Sequence, residues 1–255
     1  MNTAVKQKQP VLTITKTVKV TDTGDDAKLV QEWLTLHGFK VAIDGIFGPA
    51  TKQAVESFQS ANNLKVTGSV DKNTFEVLVR PIKYATKAVF SGNKLNLLLV
   101  QYAKLHLSQH PREVGGQNCG PWVRLYMKGN EGNSFPWCAG FVSYLLARAA
   151  DSLTPKATIP IKHTFSCDVI ANEAKNSSLF IPGASAKPQD IEGGIFLVKG
   201  KTAGDWIHTG IVQGATKDYV RTIEGNTNDD GAREGYEVCE RIRAYKNLDF
   251  VKIAG

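Results

Sequence analysis

The chain has 255 residues, 42% hydrophobic and 22% charged, with a formal net charge of +7. Those values exclude a disordered or fibrous protein and allow one sizeable core plus a small second domain. The longest apolar run, LNLLLV at 95–100, is far too short to span a bilayer.

The first twenty residues, MNTAVKQKQPVLTITKTVKV, have no apolar stretch of signal-peptide length and no small-residue cleavage site. Synthesis in the cytoplasm without a signal peptide is therefore expected. Cys119, Cys138, Cys167 and Cys239 are too widely spaced for a disulfide scaffold or a zinc ribbon. The positive charge is spread, with eleven basic against eight acidic residues up to position 85 and twenty against sixteen beyond. This favours a polyanionic surface in general. With no basic stripe and no stacking motif, no nucleic acid partner is expected.

Residues 1–23 alternate polar and β-branched side chains, as an edge strand or a solvated extension would. Residues 24–80 read as a self-contained helical unit. The first helix runs from Asp26 to His37, with Leu29, Val30, Trp33 and Leu34 apolar and Gly38 as its stop. The second follows Gly48, with Pro49 in its first turn and Ala54, Val55 and Phe58 facing inward. The third starts after Asp71, a good N-cap, and carries Phe75, Val77 and Leu78. An internal echo supports the unit: IDGIFGPATKQAV at 43–55 aligns without gaps on VTGSVDKNTFEVL at 66–78. Gly45 matches Gly68, Phe47 matches Val70 and Thr51 matches Thr74, so each copy is a turn glycine, an apolar anchor and a helix start.

The run from Leu29 to Leu78 resembles the small peptidoglycan-binding domain found at the ends of many bacterial and phage cell-wall hydrolases. The resemblance rests on Leu34, Gly38-Phe39, Asp44-Gly45, Phe47-Gly48, Thr51, Ala54-Val55, Phe58-Gln59 and Gly68. It implies a three-helix fold that holds peptidoglycan. The loop with Asp44, Gly45 and Phe47 is the expected contact, the alternative being that Asp44 only turns the backbone.

Residues 81–93 read as a linker, and helix resumes with LNLLLVQYAKLHL. His106 and His110 near its end, four apart, lack a third ligand and are expected as surface histidines, so no metal site is predicted. Next comes FPWCAGFVSYLLARAAD at 135–151, a helix with Cys138 in its first turn on the stripe of Phe141, Val142 and Leu145. A cysteine at a helix start is favoured as thiolate, although a lone cysteine on an apolar face is also an ordinary packing residue. A short helix is expected around Cys167 to Lys175. Beyond it GIFLVKG, DWIHTGIVQG, YVRTIEGN and EVCERIRAY are strand-like. Helices followed by an antiparallel sheet make residues 94–255 an α+β domain.

If the turn after HTGIVQ is centred on Thr216, His208 falls opposite Glu224, Trp206 opposite Asn226 and Gly210 opposite Thr222. Directly opposed side chains sit about 4.5–5.5 Å apart at Cβ, close enough for an imidazole and a carboxylate to bond. A nucleophilic cysteine needs a base and the base needs an orienting group, roles that Cys138, His208 and Glu224 fill, with Asn226 as the alternative orienting group.

Residues 96–245 resemble the CHAP family, the cysteine, histidine-dependent amidohydrolases/peptidases that cut peptidoglycan. The resemblance is carried by GGQNCGPWVRLYM at 115–127, PWCAGFVSYLL at 136–146, HTGIV at 208–212 and IEGNTNDDGAREGYEVCERIR at 223–243. It implies a papain-like α+β fold in which Cys138, His208, Glu224 and Asn226 are catalytic and no cofactor is needed. Some members hold calcium in an acidic loop, but Glu131 is the one acid in GNEGN, so none is expected here. The oxyanion would be held by the backbone N–H of Cys138 and a side chain such as Asn118 or Gln117, and Trp137 and Trp206 would wall the groove. The expected protein is thus a monomeric amidase or endopeptidase acting on peptidoglycan. It would be delivered like a phage endolysin or a secreted effector, the latter implying an immunity protein or a secretion-system component as partner. A non-catalytic wall-binding protein and a cysteine acyltransferase are the alternatives.

Overall fold

The computed structural model describes residues 12–87, 90–153, 159–228 and 235–253. Its helices are α1 (Asp25–Leu36), α2 (Pro49–Ala61), α3 (Lys72–Leu78), α4 (Arg80–Lys87), α5 (Leu95–Ser108), α6 (Pro121–Tyr126), α7 (Cys138–Asp151), α8 (Cys167–Asn176) and α9 (Pro188–Ile191). Its strands are β1 (Phe180–Pro182), β2 (Ile195–Lys199), β3 (Trp206–Ala215), β4 (Tyr219–Thr227), β5 (Glu237–Ala244) and β6 (Leu248–Val251). Contacts divide the chain into one unit of Met1–Lys87 with Arg112–Asn133, and a second of Ala88–Pro111 with Ser134–Gly255.

In the first unit, Asp25 and Asp26 sit in the first turn of α1, where carboxylates complement the exposed N–H groups. Leu29, Val30, Trp33 and Leu34 form its buried stripe, and Gly38, at φ 90°, takes the left-handed position that ends it. Pro49 opens α2 and Asp71 caps α3, its carboxylate accepting the Thr74 N–H at 2.7 Å. Val55 and Phe58 are buried as expected, while Ala54 is only half-buried. The turn glycines of the echo, Gly45 and Gly68, have φ of 72° and 68°. Val18 is fully buried and pairs with Val70, and Thr23 pairs with Ile46, so this mostly exposed segment is anchored on the unit. Residues 1–11 of the N-terminal extension lie outside the described residues.

The expected linker over 81–93 begins as helix α4, because Ile82 and Ala85, three apart, bury a stripe that Leu78 and Val79 start. Ala88 and Val89 of that linker lie outside the described residues. The segment 112–133, read from sequence with the later sheet, groups instead with the N-terminal helices. Trp122 meets Trp33 edge-on at 6.4 Å, and Arg112 donates to the Leu36 carbonyl at 2.7 Å. Arg124, buried, binds both oxygens of buried Glu32 at 2.6 and 3.1 Å and Glu131 at 2.6 Å.

The second unit is α+β. Six strands form one sheet in the order β1-β6-β2-β3-β4-β5, with every neighbouring pair antiparallel. Phe196, Val212, Val220, Leu248 and Phe250 pack with Ile191 of α9 into one core cluster. Helix α7 packs against α5 and against β3 and β4. His106 of α5, expected at the surface, is instead fully buried edge-on to Tyr144 at 5.6 Å and Phe141 at 6.4 Å. Burial, with Arg148 nearby, pushes its pKa down to about 3, so it is a neutral packing residue. His110 is exposed and bonds Glu237 at 2.6 Å.

Candidate active site

Helix α7 owes its place to a glycine. A Cβ on Gly225 of β4 would lie 2.7 Å from the Trp137 ring and 2.8 Å from Phe141, so only glycine lets the start of α7 rest on this strand. Gly225 stands between Glu224 and Asn226, and Cys138 is the first residue of α7. The cysteine is thereby delivered to the strand that carries the carboxylate. It is a thiol with 6% of its surface exposed.

His208 of β3 is buried, and its Nε2 lies 2.9 Å from Glu224 Oε2. The register that brings them together differs from the expected one. The turn closes from Thr216 to Tyr219, and an extra residue, Gln213, bulges between Val212 and Gly214, so Val212 pairs with Thr222 and Ile211 with Ile223. Gly210, not His208, therefore sits beside Glu224, and a Cβ there would be 3.0 Å from Glu224 Cγ. The offset is two residues, an even number, which leaves His208 and Glu224 on one face as diagonal neighbours within reach.

Glu224 is fully buried and saturated with donors. Its Oε1 accepts from Thr222 Oγ1 at 2.5 Å and Arg243 Nε at 2.6 Å, and its Oε2 accepts from Arg243 at 2.6 Å besides facing His208. Burial opposes ionisation, but the bonds from Arg243 and His208 outweigh it and bring the pKa down to about 2. The carboxylate therefore keeps its charge and leaves the proton on the imidazole. For His208 burial again opposes the charged form, while Cys138 and Glu224 on either side raise its pKa to about 9. Nδ1 is buried and outside hydrogen-bonding geometry, with the Cys138 sulfur near enough to pull on the ring proton.

Cys138 titrates well below an ordinary thiol. A hydrogen bond from Cys167, whose Sγ is 3.9 Å away, is the main cause; His208 and the Ala139 N–H add to it against burial. Glu224 and His208 are thus hydrogen-bonded, and the electrostatics of His208 and Cys138 favour the imidazolium and the thiolate respectively. Such a set of groups can attack a carbonyl carbon and hand a proton to a leaving group.

The other expected site residues are less uniform. Asn226 is buried in the left-handed region at φ 59°, and among the described residues neither its Oδ1 nor its Nδ2 has a hydrogen-bond partner, whereas Glu224 bonds the imidazole. Trp137 is fully buried against Gly225, which corrects the expectation that it walls a groove. Trp206 lines a cleft of about 520 Å³ with Lys175, Phe180 and residues 199–205, a cleft whose lining includes neither Cys138 nor His208. Trp206 Nε1 donates to Asp249 at 3.1 Å, and Lys175 Nζ lies 4.2 Å above the ring. Gln117, exposed, and Asn118, buried, belong to the first unit, whereas Cys138 belongs to the second. Residues 229–234 of the last CHAP-like motif lie outside the described residues.

In the first unit, Phe47 is fully buried and is a core anchor instead of a ligand contact. Asp44 turns the backbone, accepting the Ile46 N–H at 2.9 Å and the Gln31 amide at 2.8 Å, and the Gly45 N–H donates to Gln31 at 2.8 Å. Gln31 also reaches Thr51, and Gln59 repeats the pattern one helix later on Thr67, Gly68, Ser69 and Thr74. Sequence reasoning marked Gln59 only through the resemblance and missed the clamping role of both glutamines, and also Cys167 and Arg243. The alternation of Arg241 and Arg243 along β5 was the one available sign that a cation would meet the buried Glu224.

Residues 23–78 match the family model described as "Putative peptidoglycan binding domain". No curated protein matches the chain. Among solved structures, the SleB N-terminal domain is 29% identical over 26% of this chain and 93% of its own, at TM-score 0.26. A fused Zn-dependent amidase/peptidase/peptidoglycan-binding domain-containing protein from Clostridium acetobutylicum is 38% identical over 25% of this chain and 28% of its own, at TM-score 0.24. An endolysin of Burkholderia AP3 phage is 23% identical over 42% of this chain and 41% of its own, at TM-score 0.24. The chain thus spans well under half the length of these last two proteins, and the likenesses are local. Among the described residues no helix is long and apolar enough to cross a membrane.

Proposed function

We propose that this chain is a cysteine-dependent peptidoglycan hydrolase of the CHAP type, with residues 24–80 holding the wall and the second unit cutting an amide within it. The observation that carries the reading is the buried chain of groups from Cys138 through His208 to Glu224. The match over residues 23–78 points to peptidoglycan as the polymer.

In this mechanism Cys138 rests as thiolate with His208 as imidazolium. The thiolate attacks the amide carbonyl, and the Cys138 N–H at the start of α7 faces the oxyanion that forms. His208, oriented by Glu224 through Nε2, delivers its proton from Nδ1 to the departing amine. The neutral imidazole then takes a proton from water, which attacks the thioester and frees Cys138. Arg243 keeps Glu224 from competing for that proton. Activity should rise with pH through the lowered Cys138 pKa and fall as His208 deprotonates near about 9.

Purified peptidoglycan digested with the intact protein and with Cys138→Ala tests the reading, soluble fragments being identified by mass spectrometry. Fragments from the intact protein alone support it, and their new ends distinguish a muramoyl-alanine amidase from an endopeptidase. Equal release by both removes Cys138 from the chemistry. Sedimentation of both with the wall and release by neither would favour a binding protein. An added acceptor amine, if it appears in the products, would identify an acyltransferase.

A further inference from the structure

Cys167 takes no proton and touches no bond in that mechanism, yet its sulfur lies 3.9 Å from the sulfur of Cys138. The approach is built by both flanks. Ser143 of α7 donates to the Thr164 carbonyl at 2.8 Å and accepts the Thr164 N–H at 3.2 Å, which ties α7 to the segment entering α8. On the other side Asp168, the next residue after Cys167, accepts the Trp206 N–H at 2.7 Å and ties the start of α8 to β3. Ser166 caps α8 by accepting the Val169 N–H. Each cysteine opens its helix, so both sulfurs sit where backbone N–H groups favour a thiolate. Both are free cysteines in the described structure, and both residues are buried, with 6% and 8% of their surface exposed.

We propose that Cys138 and Cys167 are a reversible disulfide site, closed by exchange with a small-molecule disulfide and reopened by a thiol, which switches the hydrolase off and on. The switching rests on the reading of Cys138 as nucleophile; the disulfide itself does not. A disulfide needs sulfurs about 2.05 Å apart, so from 3.9 Å each would have to move by about 1 Å. In the first step the Cys138 thiolate attacks one sulfur of the disulfide RSSR and RS⁻ leaves. Cys167 then loses its proton to solvent and attacks Cys138 Sγ in the mixed disulfide, and the second RS⁻ departs. The Cys138 thiolate and the Cys167 thiol have given up two electrons and one proton, and RSSR has become two RS⁻, which take up protons from solvent. Cys138 is then unable to attack a carbonyl, and it is also protected from oxidation to sulfinic acid, which is not reversed by thiols. Cys119 and Cys239, also thiols, serve as internal controls.

The test equilibrates the full chain with glutathione buffers of increasing oxidised fraction, blocks remaining thiols by alkylation, and maps every cysteine by mass spectrometry while wall release is assayed in parallel. Expected is a Cys138–Cys167 cross-linked peptide without bound glutathione, a loss of wall release that follows the cross-linked fraction, and full recovery on reduction. In Cys167→Ser and Cys167→Ala the second step is missing, so Cys138 should instead retain glutathione. The proposal is overturned if the unaltered chain keeps glutathione on Cys138 with Cys167 still alkylatable. It is overturned equally if both thiols stay alkylatable at a poise that modifies Cys119 and Cys239. A cross-link that forms without affecting wall release overturns the switch and, with it, the nucleophile reading. Loss of release in Cys138→Ala without any cross-link leaves that reading standing and removes the disulfide alone.

Discussion

Among the described residues, a buried glutamate meets an arginine in each unit, Glu32 with Arg124 and Glu224 with the partly exposed Arg243, and the two serve different ends. In the first unit Arg124 lies between Glu32 and Glu131, and Glu131 also accepts the Gly120 N–H at 3.0 Å and meets Lys28 at 3.3 Å. Charge closes on charge, and the cluster joins α1 to α6 across ninety residues of sequence. In the second unit Arg243 grips Glu224 just as tightly, but the carboxylate has a further neighbour, His208, which in turn leans on a thiol. A buried ion pair whose partners are all permanently charged holds structure. One that ends in a titratable ring can move a proton.

That contrast is broken most severely at the ring. His208→Ala should lower wall release by roughly 10²–10⁴-fold, as loss of a general acid–base does. The counterpart in the first unit should act on stability. Arg124→Ala strands Glu32 and should cost about 3–5 kcal/mol in denaturant unfolding of the first unit. Gln31→Ala, which strands the Gly45 N–H and the Asp44 turn, should cost roughly 2–3 kcal/mol by the same measurement.

The smallest effect concerns a histidine that does no chemistry. The folded His106 pKa is about 3 against 6.5 for an ordinary histidine, so below 6.5 the unfolded chain takes up a proton that the folded chain refuses. Its stabilising contribution is complete above 6.5 and is lost as pH falls toward 3. At pH 5 the loss should be about 2 kcal/mol relative to neutral pH, and His106→Phe should flatten that part of the stability profile. An unchanged slope in the variant would assign the acid sensitivity elsewhere.

Local signals were readable from sequence where local rules decide. Gly38, Pro49 and Asp71 bound α1, α2 and α3 to within a residue, because stop, start and cap chemistry act over three or four positions. The positions of Cys138 at a helix start and of His208 and Glu224 on one hairpin were legible because those elements are local. The hairpin survived a register error only because the error was even, the bulge at Gln213 being invisible in sequence. What could not be read is non-local. Nothing near Arg124 announces Glu32, ninety-two residues earlier, so the segment 112–133 was assigned by chain order to the wrong neighbours. Gln31 and Gln59 look like polar residues on exposed helix faces, and the echo hides them. They lie twenty-eight apart, whereas the loops they clamp repeat every twenty-three. Cys167 had no sequence mark at all, since two helix starts meet only in the fold.

The proposed nucleophile depends on Cys167 and His208 holding Cys138 as a thiolate. The most direct measurement is the rate of iodoacetamide alkylation of each cysteine against pH, read peptide by peptide, in the unaltered chain and in His208→Ala. The account predicts that Cys138 reaches its plateau rate well below the ordinary thiol range near about 8.5, and that His208→Ala moves the midpoint upward. Cys119, whose thiol is pushed up by burial and by Glu131, should lag behind it. A Cys138 rate that climbs through the ordinary range in both proteins would contradict the account.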